Sequence, residues 1–313
     1  MVKKKWIWTS SAIGISSIVM LSTGLTALAG TSGYDDYKAA LKSTKALSSV
    51  SAQASATLRD NGNVIAEALA NVKADLKSES KSGNVKVTNN GGEQYVDLYA
   101  LPDGQAWKSN ATDTYFVKKD RPDSDSEDSG EGTDSSWIDR QAETVIDALV
   151  GNLKNEVTEE ANSDGSKKIS IALNSMQIPA VVQALAPIAF HKLSADRGER
   201  DHEKQDAKDS EERSDPEDLF AKQLFNSIDL TLTQDIQLKS IDLTADINAS
   251  GQIERQQASI VFVGKDASGA THELNFSVDA KLSAFNQTTP DTIDLTGKKV
   301  QTVQDRHAGK HRD

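Results

Sequence analysis

The chain has 313 residues, no cysteine, and 47 acidic against 35 basic side chains, giving a formal charge of −12. Without thiols neither a disulfide framework nor a diacylglyceryl attachment is available. The negative charge repels phosphates and no basic stripe lies in the folded region, which excludes nucleic acid and leaves basic ligands or cationic cell-wall components as better electrostatic partners.

Lys3, Lys4 and Lys5 precede an uncharged stretch from Trp6 to Ala29 with its apolar centre around Ile13 to Leu21. This pattern predicts a secretory signal peptide over residues 1–29, cleaved after Ala29, with Ala27 and Ala29 as the small residues of the cleavage site. The stretch is also long enough for a membrane anchor, but its Ser, Thr and Gly content and the Ala-x-Ala step favour cleavage. The expectation is an extracytoplasmic, monomeric protein whose remaining length can bury one core without covalent staples, as a single domain over 30–296.

Ser32 and Asp35 have capping-box spacing and open a predicted helix over 34–47, with Tyr37, Leu41 and Thr44 on one face. Val50, Ala52, Ala54, Ala56 and Leu58 then alternate with polar residues, the signature of a strand with one wet face. Asp60-Asn61-Gly62 is a strong hairpin turn. The return segment, Val64 to Leu76 with Ala66, Ala68 and Ala70, fits helix and strand periodicity alike; the preceding turn chemistry selects strand. Further strands are expected at 84–88, 93–100, 105–109 and 114–118, separated by Asn-Gly and Pro-Asp-Gly turns.

From Asp120 to Ser136 seven acids meet one base, and from Asp196 to Asp218 eleven meet five, so these two runs carry the entire formal charge. Both lack large apolar residues and are expected as disordered insertions. The alternate carboxylates Asp123, Asp125 and Glu127 resemble the start of a calcium loop, but the glycine and distal glutamate that such a loop needs are out of place. Between the runs, a second helix is predicted from Ser136, with Ile138, Ala142, Val145, Ile146, Leu149 and Leu153 on one side, followed by a hairpin over 155–161 and 167–174. Pro179 to Phe190, including Val181, Val182 and Leu185, has only Gln183 as a strongly polar residue. This is too short to cross a bilayer and should be a helix inside the fold, kinked or ended at Pro187.

After the second acidic run, Asp215 and Pro216 open a short helix with Leu219, Phe220 and Leu224. Ile236 and Leu238 are out of phase with Ile241, Leu243, Ala245 and Ile247, which predicts a bulge or turn between them. Ala258, Ile260 and Phe262 form a strand before a turn at 266–269. Leu274, Phe276, Val278, Ala280 and Leu282 give the clearest alternation in the chain, and Thr292 to Leu295 are placed to close the sheet. Residues 297–313 read as a flexible tail, in which His307 and His311 stand four apart without a helix signal.

An N-terminal helix leading into a hairpin, many antiparallel strands, the Gln177-Ile178-Pro179 entry to a buried helix, and Leu282-Ser283-Ala284-Phe285-Asn286 ahead of Pro290 resemble the LolA-like superfamily, over residues 34–296. The resemblance implies an α+β fold, a strongly curved antiparallel β half-barrel wrapped over a few helices, and an apolar cavity carrying a lipid, an acyl chain or a lipidated protein in the bacterial envelope. The lipobox cysteine of the lipoprotein members is absent, and the acidic insertions are not a feature of the group.

No catalytic, cofactor or metal constellation stands out. Five histidines, no cysteine, no Gly-rich phosphate loop and no Gly-x-Ser-x-Gly elbow leave few candidates for a nucleophile or a zinc site, so a non-enzymatic protein is expected. The candidate ligand-lining residues are Ala52, Ala54, Ala56, Ala66, Ala68, Val181, Val182, Leu185, Phe190, Leu274 and Phe276. If the alanines face inward, their short side chains leave room for a lipid tail between sheet and helix. If the helix backbone packs closer, that room vanishes, and the alternative is an interaction module with a packed core that binds an envelope protein or cell-wall polymer.

Overall fold

A computed structural model describes residues 32–78, 80–119, 156–180, 182–184, 186–187, 190 and 232–303 of the protein. The expected signal peptide with Ala27 and Ala29, both acidic runs, the second helix, the helix after Asp215, and positions Val181 and Leu185 lie outside the described residues. The elements are α1 (Ser32–Lys45), β1 (Ser49–Asp60), β2 (Asn63–Asp75), β3 (Ser80–Asn89), β4 (Gly92–Leu101), β5 (Gly104–Ser109), β6 (Tyr115–Lys119), β7 (Val157–Ala161), β8 (Lys167–Asn174), β9 (Gln234–Ile247), β10 (Ile253–Lys265), β11 (Thr271–Ser283) and β12 (Val300–Thr302).

Among the described residues twelve strands form one sheet, in the order β12-β6-β5-β4-β3-β2-β1-β11-β10-β9-β8-β7. Two runs of next-neighbour antiparallel strands, β1 to β6 and β7 to β11, are joined where β1 pairs with β11 from Ser51↔Ser283 to Asp60↔Leu274. Sequence alternation foresees this antiparallel sheet. It ends in two edge strands, β7 and β12, and does not close into a barrel.

The β1–β2 turn has the backbone that its residues favour, with φ of 48° at Asn61 and 84° at Gly62, so β2 returns as a strand. The phase change in β9 is a bulge: Ser240 faces Val261 and Leu238 faces Phe262, which leaves Lys239 as the extra residue. That one-residue slip turns Leu238 and Leu243 toward the same core.

The C-terminal segment departs from expectation. Thr292 makes a single parallel bridge to Ala100 instead of a strand, and residues 300–302, expected to fray, pair in parallel with Tyr115–Val117 of β6. Leaving β11 through positive φ at Ala284 and Asn286, the segment visits β1, β3, β4 and β6 in turn. Asn286 accepts from Ser48 N at 2.7 Å, Thr288 N donates to Ser49 Oγ at 3.0 Å, and Asp291 N donates to the fully buried Ser82 Oγ at 2.6 Å. The physical reason is the unpaired edge of β6, whose backbone groups gain partners from Lys299 to Val303.

Two clusters cover one face of the sheet. In the first, Phe190, Ala186 and Ile178 pack with Leu58, Ala66, Leu238, Phe262 and Leu274. In the second, Tyr37, Ala40 and Leu41 of α1 pack with Ile169, Ala245, Ile247 and Ile253. The segment after Pro179 is helical at its described positions, and Phe190, beyond Pro187, is still helical. It is not buried all round: Phe190 and Ala186 face the core, while Ala180 and Ala184, one turn apart, face solvent.

Candidate functional site

Between these clusters the apolar face carries a block of alanines. Register pairs Ala54 with Ala70 and Ala56 with Ala68 across β1 and β2. On one side they meet Ala280 and Val278 of β11, and on the other Val85 and Val87 of β3. Directly paired residues share a face, so the block forms one apolar strip across four strands. Ala52 and Ala66 are buried at its ends, whereas Ala54, Ala56, Ala68 and Ala70 are half-buried and belong to neither cluster.

The structure thus divides the residues singled out in the sequence. Ala66, Val182, Phe190, Leu274 and Phe276 come together in the first cluster, where Phe262 links two of them at ring distances of 5.6 Å to Phe190 and 6.0 Å to Phe276. Ala52, Ala54, Ala56 and Ala68 share the face but lie outside that cluster.

Each cluster is pinned by polar contacts, part-buried in the first and buried in the second. Gln183 Nε2 donates to Leu238 O at 2.7 Å and Leu238 N donates to Gln183 Oε1 at 3.0 Å. At the α1 end, Gln256 Nε2 donates to Tyr37 Oη at 2.7 Å, and burial pushes the Tyr37 phenol well above its ordinary range. Thr44 Oγ1 also accepts from Ile253 N at 2.9 Å, tying the end of α1 to β10.

His272, at the start of β11, bridges two hairpin turns. Its Nδ1 lies 2.8 and 3.0 Å from the Asp60 oxygens, and its Nε2 lies 3.5 Å from Asp266 Oδ2 without hydrogen-bond geometry. The Asp60 carboxylate raises the imidazole pKa above the usual histidine range, against partial desolvation and with help from Asp266. Asp266 itself is held low, first by the Ser268 hydroxyl.

Two hollows lie away from the alanine strip. One, of about 340 Å³, lies on polar side chains of β1, β11, β10 and β9, among them Ser55, Thr57, Asp242, Gln257, Ser259 and Ser277. The other, of about 290 Å³, sits between α1 and the 248–251 turn, beside Lys167, which pairs with Asp36 and with Glu159 at 3.1 Å. The first was invisible in the sequence because alternation marks its residues only as a wet face. Its one legible signal was the run of short hydroxyl side chains at those wet positions.

Among the described residues no group of three or more His, Asp or Glu side chains is placed to hold a metal ion, and no helix is long and apolar enough to cross a membrane. No family model matches the chain, and no curated protein matches it.

Proposed function

We propose that the mature protein works outside the cytoplasm as a non-catalytic binder of an acyl chain, held on the alanine strip of the sheet's apolar face. In this reading the sheet curves about the ligand as a LolA-like half-barrel, open at its edges, and the phenylalanine cluster forms one end wall. The observation that carries the reading is the pairing of Ala54, Ala56, Ala68 and Ala70 into an apolar, half-buried patch between two packed cores. Large side chains at these positions would complete the core. Alanine leaves a shallow bed that a flexible methylene chain can fill.

Magnitudes set the ligand class. Each buried methylene contributes about 0.8 kcal/mol, and association costs at least about 4 kcal/mol. A chain must therefore cover at least about six methylenes before it binds at all, which points to fatty-acyl groups and away from short-chain acids. The test is native mass spectrometry of the protein from its own host, combined with uptake of a fluorescent fatty acid. Co-purified lipid and saturable uptake support the proposal. Ligand-free protein that takes up no probe contradicts it.

A further inference from the structure

The opposite face of the sheet offers a second site, independent of the acyl proposal. There β1, β11, β10 and β9 set two neighbouring rows of polar side chains in register: Thr57, Ser277, Ser259 and Asp242 in one, and Ser55, Asp279, Gln257 and Thr244 in the other. Adjacent strands lie about 4.8 Å apart, so each row is a ladder of hydrogen-bonding groups with that repeat. Together they line the hollow of about 340 Å³, within the range of small-ligand sites.

The groups in the hollow are unequally committed. Asp279 is taken by Arg255, whose Nε and Nη2 donate at 2.9 and 2.5 Å. Ser259 and Ser277 make only long bonds, of 3.3 and 3.5 Å. Asp242 is exposed, and its carboxylate makes no hydrogen bond or ion pair with any described residue. The Gln257 amide is engaged only by long bonds of 3.4 Å, from Thr244 and to Asp279, so among the described residues the hollow offers hydroxyls that both donate and accept, a weakly held amide, and one unspent negative charge.

We propose that this hollow binds a polyhydroxylated cation of the amino-sugar class, an unacetylated hexosamine oligomer, with Asp242 receiving the ammonium group and the serine and threonine ladder meeting the ring hydroxyls. Charge selects the sign, since among the described residues lining the hollow the one uncommitted charge is a carboxylate. Chemistry selects the polyol: a polyamine has donors only and leaves the hydroxyl donors of the ladder unmatched, whereas a sugar ring presents both donors and acceptors. A neutral glucan leaves Asp242 without a counter-charge. A peptide strand is a poor fit, because these strands lie in the sheet interior and their backbone groups are already paired.

The test is a calorimetric and NMR titration of the mature chain with a glucosamine tetramer, a neutral glucose tetramer and spermine. The glucosamine tetramer should bind at least about tenfold more tightly than either comparison ligand and shift the amide signals of Asp242 and Ser277. Asp242→Asn should cost it about tenfold, and Ser277→Leu, which fills the floor of the hollow, should abolish binding. Spermine binding as tightly, an undiminished affinity in Asp242→Asn, or no binding by the wild-type chain would overturn the assignment.

Discussion

Gln183 closes the end of a β-ladder with its side chain. The last pair between β8 and β9 is Asn174↔Ser240, and two residues further along β9 the backbone N–H and C=O of Leu238 are met by the Gln183 amide at 3.0 and 2.7 Å. One primary amide takes the place of a strand, donating and accepting as a backbone peptide does. The only strongly polar residue of its helix is thus the one that docks that helix to the sheet, beside the β9 bulge.

Replacing Gln183 with Leu should accordingly be costly although it adds apolar surface to an apolar helix. Both part-buried Leu238 groups lose their partner, at about 1–3 kcal/mol each. Urea unfolding should show a loss of about 2–6 kcal/mol with little change in m-value. A neutral result would mean that the amide does not hold the helix in place.

The His272 bridge gives a pH dependence of defined sign. Its folded pKa lies above the unfolded value of about 6.5, so the stabilisation is complete below that pH and is lost as pH rises through the folded pKa. The urea midpoint of the wild-type chain should therefore fall as pH is raised above about 6.5, and His272→Gln should flatten that part of the profile. An NMR titration placing the His272 pKa below 6.5 would contradict the bridge.

Gly83 sits where β3 crosses β2 too closely for a side chain. A Cβ there would stand 2.2 Å from Asn71 O, a backbone atom that cannot swing aside. Gly83→Ala should cost at least about 1–3 kcal/mol, measured as a lower urea midpoint. Gly62 has no neighbour within 4 Å of such a Cβ, and Gly62→Ala should cost only the left-handed backbone penalty of about 1–2 kcal/mol.

The C-terminal crossing segment can be probed through Ser82, which is fully buried and accepts from Asp291 N. Ser82→Ala should remove about 1 kcal/mol and raise amide exchange at Asp291 and Thr292 before exchange in β3 changes. Unaltered exchange there would show that the Ser82 contact is dispensable and that the segment is held by its contacts with Ser48, Ser49, Ala100 and β6.

Local chemistry was legible in the sequence, and long-range partnership was not. Asp60-Asn61-Gly62 specifies a hairpin, and the phase flip between Leu238 and Ile241 marks the bulge, because both signals lie within a few residues. Period-two alternation reveals which side of β1 is apolar but not that β11, more than 200 residues away, lies beside it. The segment after Ala284 carries few apolar residues, and it is held by Asn, Ser and Thr contacts that leave no periodic trace. The alanines were visible as residues of the apolar face; that four of them form a patch outside both cores depends on pairing and register.

The central claim is that the alanine patch is a binding bed, and filling it tests this most directly. Fatty-acid uptake should be compared between the wild-type chain and an Ala56→Leu/Ala68→Leu variant, whose added side chains occupy directly paired positions. The proposal expects the variant to remain folded, with a melting temperature at or above that of the wild type, and to lose at least about tenfold in affinity, equivalent to about 1.4 kcal/mol. Unchanged uptake by a folded variant would contradict it.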